Sequence, residues 1–114
     1  MAIDQPNIVD FIGIDPKANE VILVIADHLE WTNDDQSDKL HMLFLQNKLN
    51  DYLEFAASGQ IYKAYPDANG KGIAIKVMAK FSMNSEGKKF FERVRLFVLE
   101  LGYRLEFNGP RDRE

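Results

Sequence analysis

Residues 20–27, EVILVIAD, set the tightest limit on the fold. Successive side chains of a strand point to opposite faces. Here Val21, Leu23 and Ile25 take one face and Ile22, Val24 and Ala26 the other, so both are apolar. A strand like this wants cover on both sides and belongs inside a sheet. Its apolar stretch is also far too short to cross a bilayer.

The neighbouring segments supply the rest of that sheet. Ile8 to Ile14 reads as a strand, and DPKAN at 15–19 has the proline and asparagine of a tight connection, so an antiparallel hairpin is expected. Ile73, Ile75, Val77, Ala79 and Phe81 alternate with Ala74, Lys76, Met78, Lys80 and Ser82, the cleanest period-two pattern in the chain. Tyr103, Leu105 and Phe107 alternate as a last strand. Ile61 to Tyr65 is either a short strand or part of a loop.

Two segments have a helical period instead. From about residue 37 to Ser58, Met42, Leu45, Leu49, Tyr52, Leu53 and Ala56 recur at three- and four-residue steps, widened by Leu40 and Phe44. Thr32, Asn33 and Ser37 are N-cap types, with Asp34, Asp35 and Asp38 at the positive end of the dipole. Ser85 is expected to cap the second helix, with Glu86 in its first turn, Gly102 closes it, and Phe90, Val94, Phe97, Val98 and Leu101 make its expected buried stripe.

The order β-β-α-(β)-β-α-β predicts an α+β two-layer sandwich: a mixed sheet of four or five strands with two helices on one face. At 114 residues the chain fits one domain, set at 1–108, with NGPRDRE at its end giving a polar tail over 109–114. The uncovered sheet face would offer some of Ile12, Ile14, Ile22, Val24, Ala26 and Met78, with Lys76 and Lys80 beside them. An apolar face of that extent seeks a partner, so a homodimer through the open sheet is one expectation and cover by the 59–72 loop the other.

Composition narrows the chemistry. With 46% hydrophobic and 28% charged residues the chain is ordinary globular material. Cysteine is absent, which removes disulfides, thiol nucleophiles and thiolate metal sites and suits a reducing cytoplasm. MAIDQPNIVD lacks the basic start and apolar run of a signal peptide. A cytoplasmic protein without membrane contact is therefore expected. The net charge of −4 divides into −8 over residues 1–60 and +4 over 61–114. Either the two halves form an acidic and a basic side, or a shared sheet mixes them. Lys88, Lys89, Arg93 and Arg95 read as a solvated helix face, since nucleic-acid binding would want a stronger positive balance.

The residues richest in chemistry are ADHLEW, 26–31. On a strand His28 and Glu30 share a face, so Glu30 or Asp27 would orient the imidazole. No G-x-S-x-G elbow supplies a nucleophile, and no H-x-x-x-H or H-E-x-x-H spacing supplies metal ligands. His41, the other histidine, sits a dozen residues further on. No metal or cofactor is expected. The loop IYKAYPDANGKG adds Tyr62, Tyr65 and Asp67 as amphipathic or charged contact residues. The leading reading is a non-enzymatic binding or interaction protein, of regulatory or immunity type. Its contact residues would be His28, Glu30, Trp31, Tyr62, Tyr65 and Asp67, and its partner another protein. The alternative is a small hydrolase using His28 with Glu30 or Asp27.

Three stretches taken together, IDQPNIVDFIGID (3–15), the strand ending in DHLEW (21–31) and SGQIYKAYPDANGK (58–71), resemble a family of small bacterial proteins known only as a domain of unknown function. Its members share an IDQPN opening, an IGID strand, a DHL-W strand end and a Y-x-x-YPDA segment. The resemblance spans nearly the whole chain and implies a bacterial cytosolic single-domain protein. It brings no activity, cofactor or catalytic residue.

Overall fold

The computed structural model describes residues 11–109. Strand β1 (Phe11–Asp15) turns through an Asx-type connection into β2 (Glu20–Asp27). The Asp15 carboxylate accepts the amides of Lys17 and Ala18 at 3.0 and 3.3 Å, and Asn19 takes a left-handed φ of 57°. Helix α1 (Asp35–Ala57) leads to a short helix α2 (Gln60–Ala64) and a 3-10 turn (Pro66–Ala68). Strand β3 (Gly72–Ala79), helix α3 (Ser85–Glu100) and strand β4 (Arg104–Asn108) complete the order.

The four strands lie in chain order, β1-β2-β3-β4. β1 is antiparallel to β2, while β2, β3 and β4 are mutually parallel. Both crossovers step the same way along the sheet, so connections of one hand put α1 and α3 on one face. Val21, Leu23, Ile25, Ile73, Ile75, Val77 and Leu105 form that face's contribution to the core, with Leu45, Leu49, Tyr52, Phe90, Phe91 and Val98 from the helices. Each fully buried aliphatic side chain of this kind contributes roughly 1.5–3 kcal/mol. The two-layer α+β architecture with two long helices on one face is thus as the sequence predicts.

Several details differ from expectation. Residues 60–64 are helical, so the sheet has four strands and gains none from Ile61–Tyr65. Ile61 and Ala68, both fully buried, pin that segment to the core. The first strand was expected from Ile8; residues 8–10 lie outside the described residues, as do 110–114 of the expected tail. In α3, Phe91 is buried, whereas Phe97 and Leu101, expected in the buried stripe, are 54% and 49% exposed. They fall toward α1, which does not close over them: a groove of about 400 Å³ lined by Leu49, Leu53, Phe90 and Phe97 separates the two helices.

The open face of the sheet also differs. Ile12 and Ile14 stand opposite Leu23 and Val21, so they belong to the helix-covered side, and Ile12 packs against the core. The open side keeps the expected Ile22, Val24, Ala26, Met78 and Lys76, and adds Ala74 with the charged Glu20, Arg104 and Glu106. Arg104 holds Glu20 through two bonds of 3.1 and 2.6 Å and reaches Glu106 at 3.4 Å, and Lys76 lies 3.7 Å from Glu106. This lattice ties the acidic first half of the chain to the basic second half. The Arg104 guanidinium bonded to Glu20 holds that carboxyl below its ordinary range.

Candidate functional site

The parallel strands β2 and β3 end together, Asp27 beside Ala79, and the Lys80 amide extends the ladder to the Asp27 carbonyl at 2.9 Å. Helices α1 and α3 both begin at this carboxyl edge, where open α/β sheets commonly place ligands. The chain between β2 and α1 is the DHLEWTND stretch.

Asp27, the last residue of β2, is 2% exposed. Its carboxylate does not meet His28. It accepts the Leu29 amide at 3.1 Å, and both its oxygens lie against His41 Nε2, at 2.9 and 2.7 Å. His41 is equally buried. The Trp31 indole stacks on the His41 imidazole with ring centroids 3.9 Å apart and planes 24° from parallel. That indole is also packed on Gly87 in the first turn of α3, where a Cβ would come within 3.1 Å of it. The Trp31 Nε1 and His41 Nδ1 atoms are buried with no hydrogen-bond partner among the described residues.

Beside this stack Asp38 collects donors. Its carboxylate accepts the amides of Thr32 (2.9 Å) and Asn33 (3.0 Å), the Thr32 hydroxyl (3.4 Å) and the Asn84 side-chain amide (2.9 Å). The Thr32 amide is the main reason that the carboxyl sits below its ordinary range, with Asn84, Asn33 and the Thr32 hydroxyl adding to it. Asn84 also donates to the Asn33 side-chain oxygen at 2.9 Å and, in place of the expected Ser85, caps α3 by accepting the Gly87 amide at 2.9 Å. Asp34 caps α1 by accepting the Ser37 amide at 3.0 Å. Asn33 reaches this arrangement with a left-handed φ of 65°, which asparagine tolerates. One loop is thereby fastened to the starts of both helices.

Outside this closed knot lies an open cleft of about 520 Å³. Leu29, Leu40, Phe44 and Phe81 give it an apolar lining, His28, Glu30, Thr32, Ser37 and Lys80 give it polar groups, and the buried His41 forms part of its inner wall. His28 and Glu30 are exposed, and no hydrogen bond between them occurs among the described residues. Of the residues singled out in the sequence, His28 and Glu30 therefore line a cleft, while Asp27 and Trp31 belong to the knot behind it. Tyr62, Tyr65 and Asp67 are elsewhere. The segment holding them precedes Gly72, which pairs with Glu20 at the opposite end of the sheet. Eight-residue strands put the two groups roughly 23 Å apart along the sheet. Tyr62 and Tyr65 lean on the core there, and Asp67 is exposed. The six residues do not form one surface.

His41, Asp38, Asn84 and Gly87 have places in this site that the sequence expectations did not give them. A signal for the first two existed: Asp38 and His41 are in phase with Leu45, Leu49 and Tyr52, so two polar residues occupy the core stripe of α1. No group of three or more His, Cys, Asp or Glu suited to a metal ion occurs among the described residues. No helix among them is long and apolar enough to cross a membrane.

A model of a family of unknown function (DUF6572) matches residues 1–111. No curated protein and no solved structure matches the chain.

Proposed function

The chain belongs to that family of unknown function, and from its geometry we propose a non-enzymatic binding protein that uses the cleft at the carboxyl edge of the sheet. The observation behind this reading is the closure of the Asp27–His41 pair. It is the one carboxylate–imidazole pair among the described residues, and both side chains are about 98% buried. An imidazole stacked under Trp31 and held by both oxygens of Asp27 serves as a post that fixes the loop. A general base must reach its substrate, and His28, which is exposed, lacks the carboxylate that would orient it.

The cleft in front of the post has the mixed character of a recognition surface: an apolar lining for side-chain contact and a few polar groups for orientation. Lys80 and His28 against Glu30 favour an apolar peptide segment with an acidic group. A cytosolic regulatory or immunity-type role would use such a surface.

The test is a peptide-display selection on the full chain, followed by titration of the enriched peptides against wild type, Leu40→Asp and Lys80→Glu. Leu40 is half exposed in the cleft, so its substitution leaves the core intact. Enriched peptides whose binding falls about tenfold or more in both variants support the proposal. Peptides indifferent to both variants would count against the cleft. Hydrolysis of a panel of ester substrates that disappears in His28→Ala would instead favour the enzyme reading.

A further inference from the structure

Helix α3 leaves large apolar side chains in water where a monomer would hide or omit them. Leu96 is 50% exposed and Phe97 54%. They are adjacent in sequence and sit on a stripe with Lys89, Arg93 and Glu100, at the three- and four-residue steps that make neighbours on a helix. All five are exposed. Leu101, also half exposed, continues the apolar surface into the space between Phe97 and Leu53 of α1.

The charges on α3 divide into two kinds. Lys89 lies 3.8 Å from Glu86, and Arg95 binds Glu92 at 2.6 Å, so these are satisfied along the helix itself. Arg93 and Glu100, like Lys88 off the stripe, have no ion-pair partner among the described residues. They are seven residues apart on one side of the helix, and the point midway between them falls between Leu96 and Phe97.

That arrangement is self-complementary. A two-fold axis passing between Leu96 and Phe97 runs a second α3 antiparallel to the first. It sets Arg93 against Glu100 of the partner subunit and Glu100 against Arg93 of the partner subunit, with the apolar pairs meeting at the centre. Isologous contacts have this form: the same patch used twice, each residue of a charge pair finding its counterpart on the other copy. The geometry points to a second copy of this chain as the occupant of the α3 stripe, in an antiparallel α3–α3 homodimer. The groove between α1 and α3, with Leu49, Leu53 and Val94 in its walls, receives Leu96 of the partner subunit beside Phe97. The open sheet face offers less, since its ion pairs are satisfied within the chain.

The test is sedimentation equilibrium of the full 114-residue chain over a dilution series, at moderate salt, for six proteins. Wild type is expected to associate to a dimer. Arg93→Glu and Glu100→Arg each place like charges opposite one another at both ends of the contact and should weaken association at least about tenfold. The double variant Arg93→Glu/Glu100→Arg restores opposite charges and should recover most of the affinity. Leu96→Asp should leave a monomer with an unchanged circular dichroism spectrum, because the side chain already faces water. Met78→Glu, on the open sheet face, should leave the dimer intact. Wild type that stays monomeric throughout, single reversals without effect, a double variant no better than the singles, or a dimer lost in Met78→Glu would each overturn the assignment.

Discussion

Helices α1 and α3 cover the same sheet and depart from simple amphipathicity in opposite ways. α1 buries polar residues: Asp38, His41 and Lys48 all lie on its inner side. α3 exposes apolar ones: Leu96, Phe97 and Leu99 are each about half in water. The buried polar groups of α1 have partners inside the chain, apart from His41 Nδ1, and its own exposed apolar residues, Leu40 and Leu43, lie near its start. Asp38 has its loop amides, His41 has Asp27 and Trp31, and the Lys48 ammonium lies 5.7 Å from the Tyr52 ring. The exposed apolar residues of α3 have no answer within the described residues. Polar groups in a core are tolerated only when partnered, so the first kind of departure marks internal construction. Exposed apolar groups gathered in one place mark a surface meant for contact.

The most severe way to break this contrast is to remove one member of the buried pair. Asp27→Ala leaves His41 without its partner in a dry site, and the expected loss is about 3–5 kcal/mol of folding stability. Asp27→Ala/His41→Leu, which removes both polar groups, should recover a substantial part of it. Urea denaturation of the singles and the double gives the coupling. A double variant as unstable as the two single losses added would mean that the pair does not act as a unit.

Gly87→Ala tests the other side of the indole. The new methyl group would meet Trp31 at about 3.1–3.2 Å, tighter than ordinary contact. Displacing the indole would disturb its stack on His41, at an expected cost of about 1–3 kcal/mol. Trp31, the only tryptophan in the chain, reports this directly. A shifted emission maximum should accompany the loss of stability, and unchanged emission with unchanged stability would show that the packing has slack.

Asp38 adds a pH dependence whose sign follows from its donors. Hydrogen bonds to the ionised form hold the folded-state value below the unfolded one. The stabilisation is therefore complete above the ordinary aspartate value of about 3.9 and is lost as pH falls through the lower folded value. Asn84→Ala removes one donor and the α3 cap together. The cap loss alone should cost about 1 kcal/mol at neutral pH, and the stability lost on acidification should be smaller than in wild type, because the folded value then lies closer to the unfolded one. Melting temperatures across an acid series would detect both effects.

Much of the architecture was legible because the strands declare their burial, one by an apolar run on both faces and the others by alternation. EVILVIAD could only be an interior strand and the run from Ile73 could only be another strand, whereas the order of the strands and the parallel pairing of these two were not legible. The short helix at 60–64 was not legible, because five residues of IYKAY satisfy either period and only the burial of Ile61 decides between them. The register of β1 against β2 was also hidden, and it alone determines that Ile12 and Ile14 join the helix side. The site was half legible. The chemistry-bearing stretch was visible, but the partner of Asp27 is set by how α1 lies on β2, fourteen residues away in sequence. Spacing within one element could not supply it, although the phase of Asp38 and His41 on the core stripe gave notice that α1 holds polar groups inside.

The smallest expected change in stability is the sharpest test of α3. Leu96→Ser alters a side chain that is half exposed and points away from the core. Surface substitutions of this kind change the stability of a monomer by no more than about 0.5 kcal/mol. If Leu96 is only a stray apolar residue, denaturation of dilute protein and of concentrated protein will show that same small change. If the stripe holds a second copy, folding is linked to association, and wild-type stability rises with protein concentration while that of the variant does not. The two proteins then coincide when dilute and separate when concentrated. A wild-type melting temperature independent of concentration would leave the exposed residues of α3 without a second copy to cover them and would remove the contrast with the buried polar groups of α1.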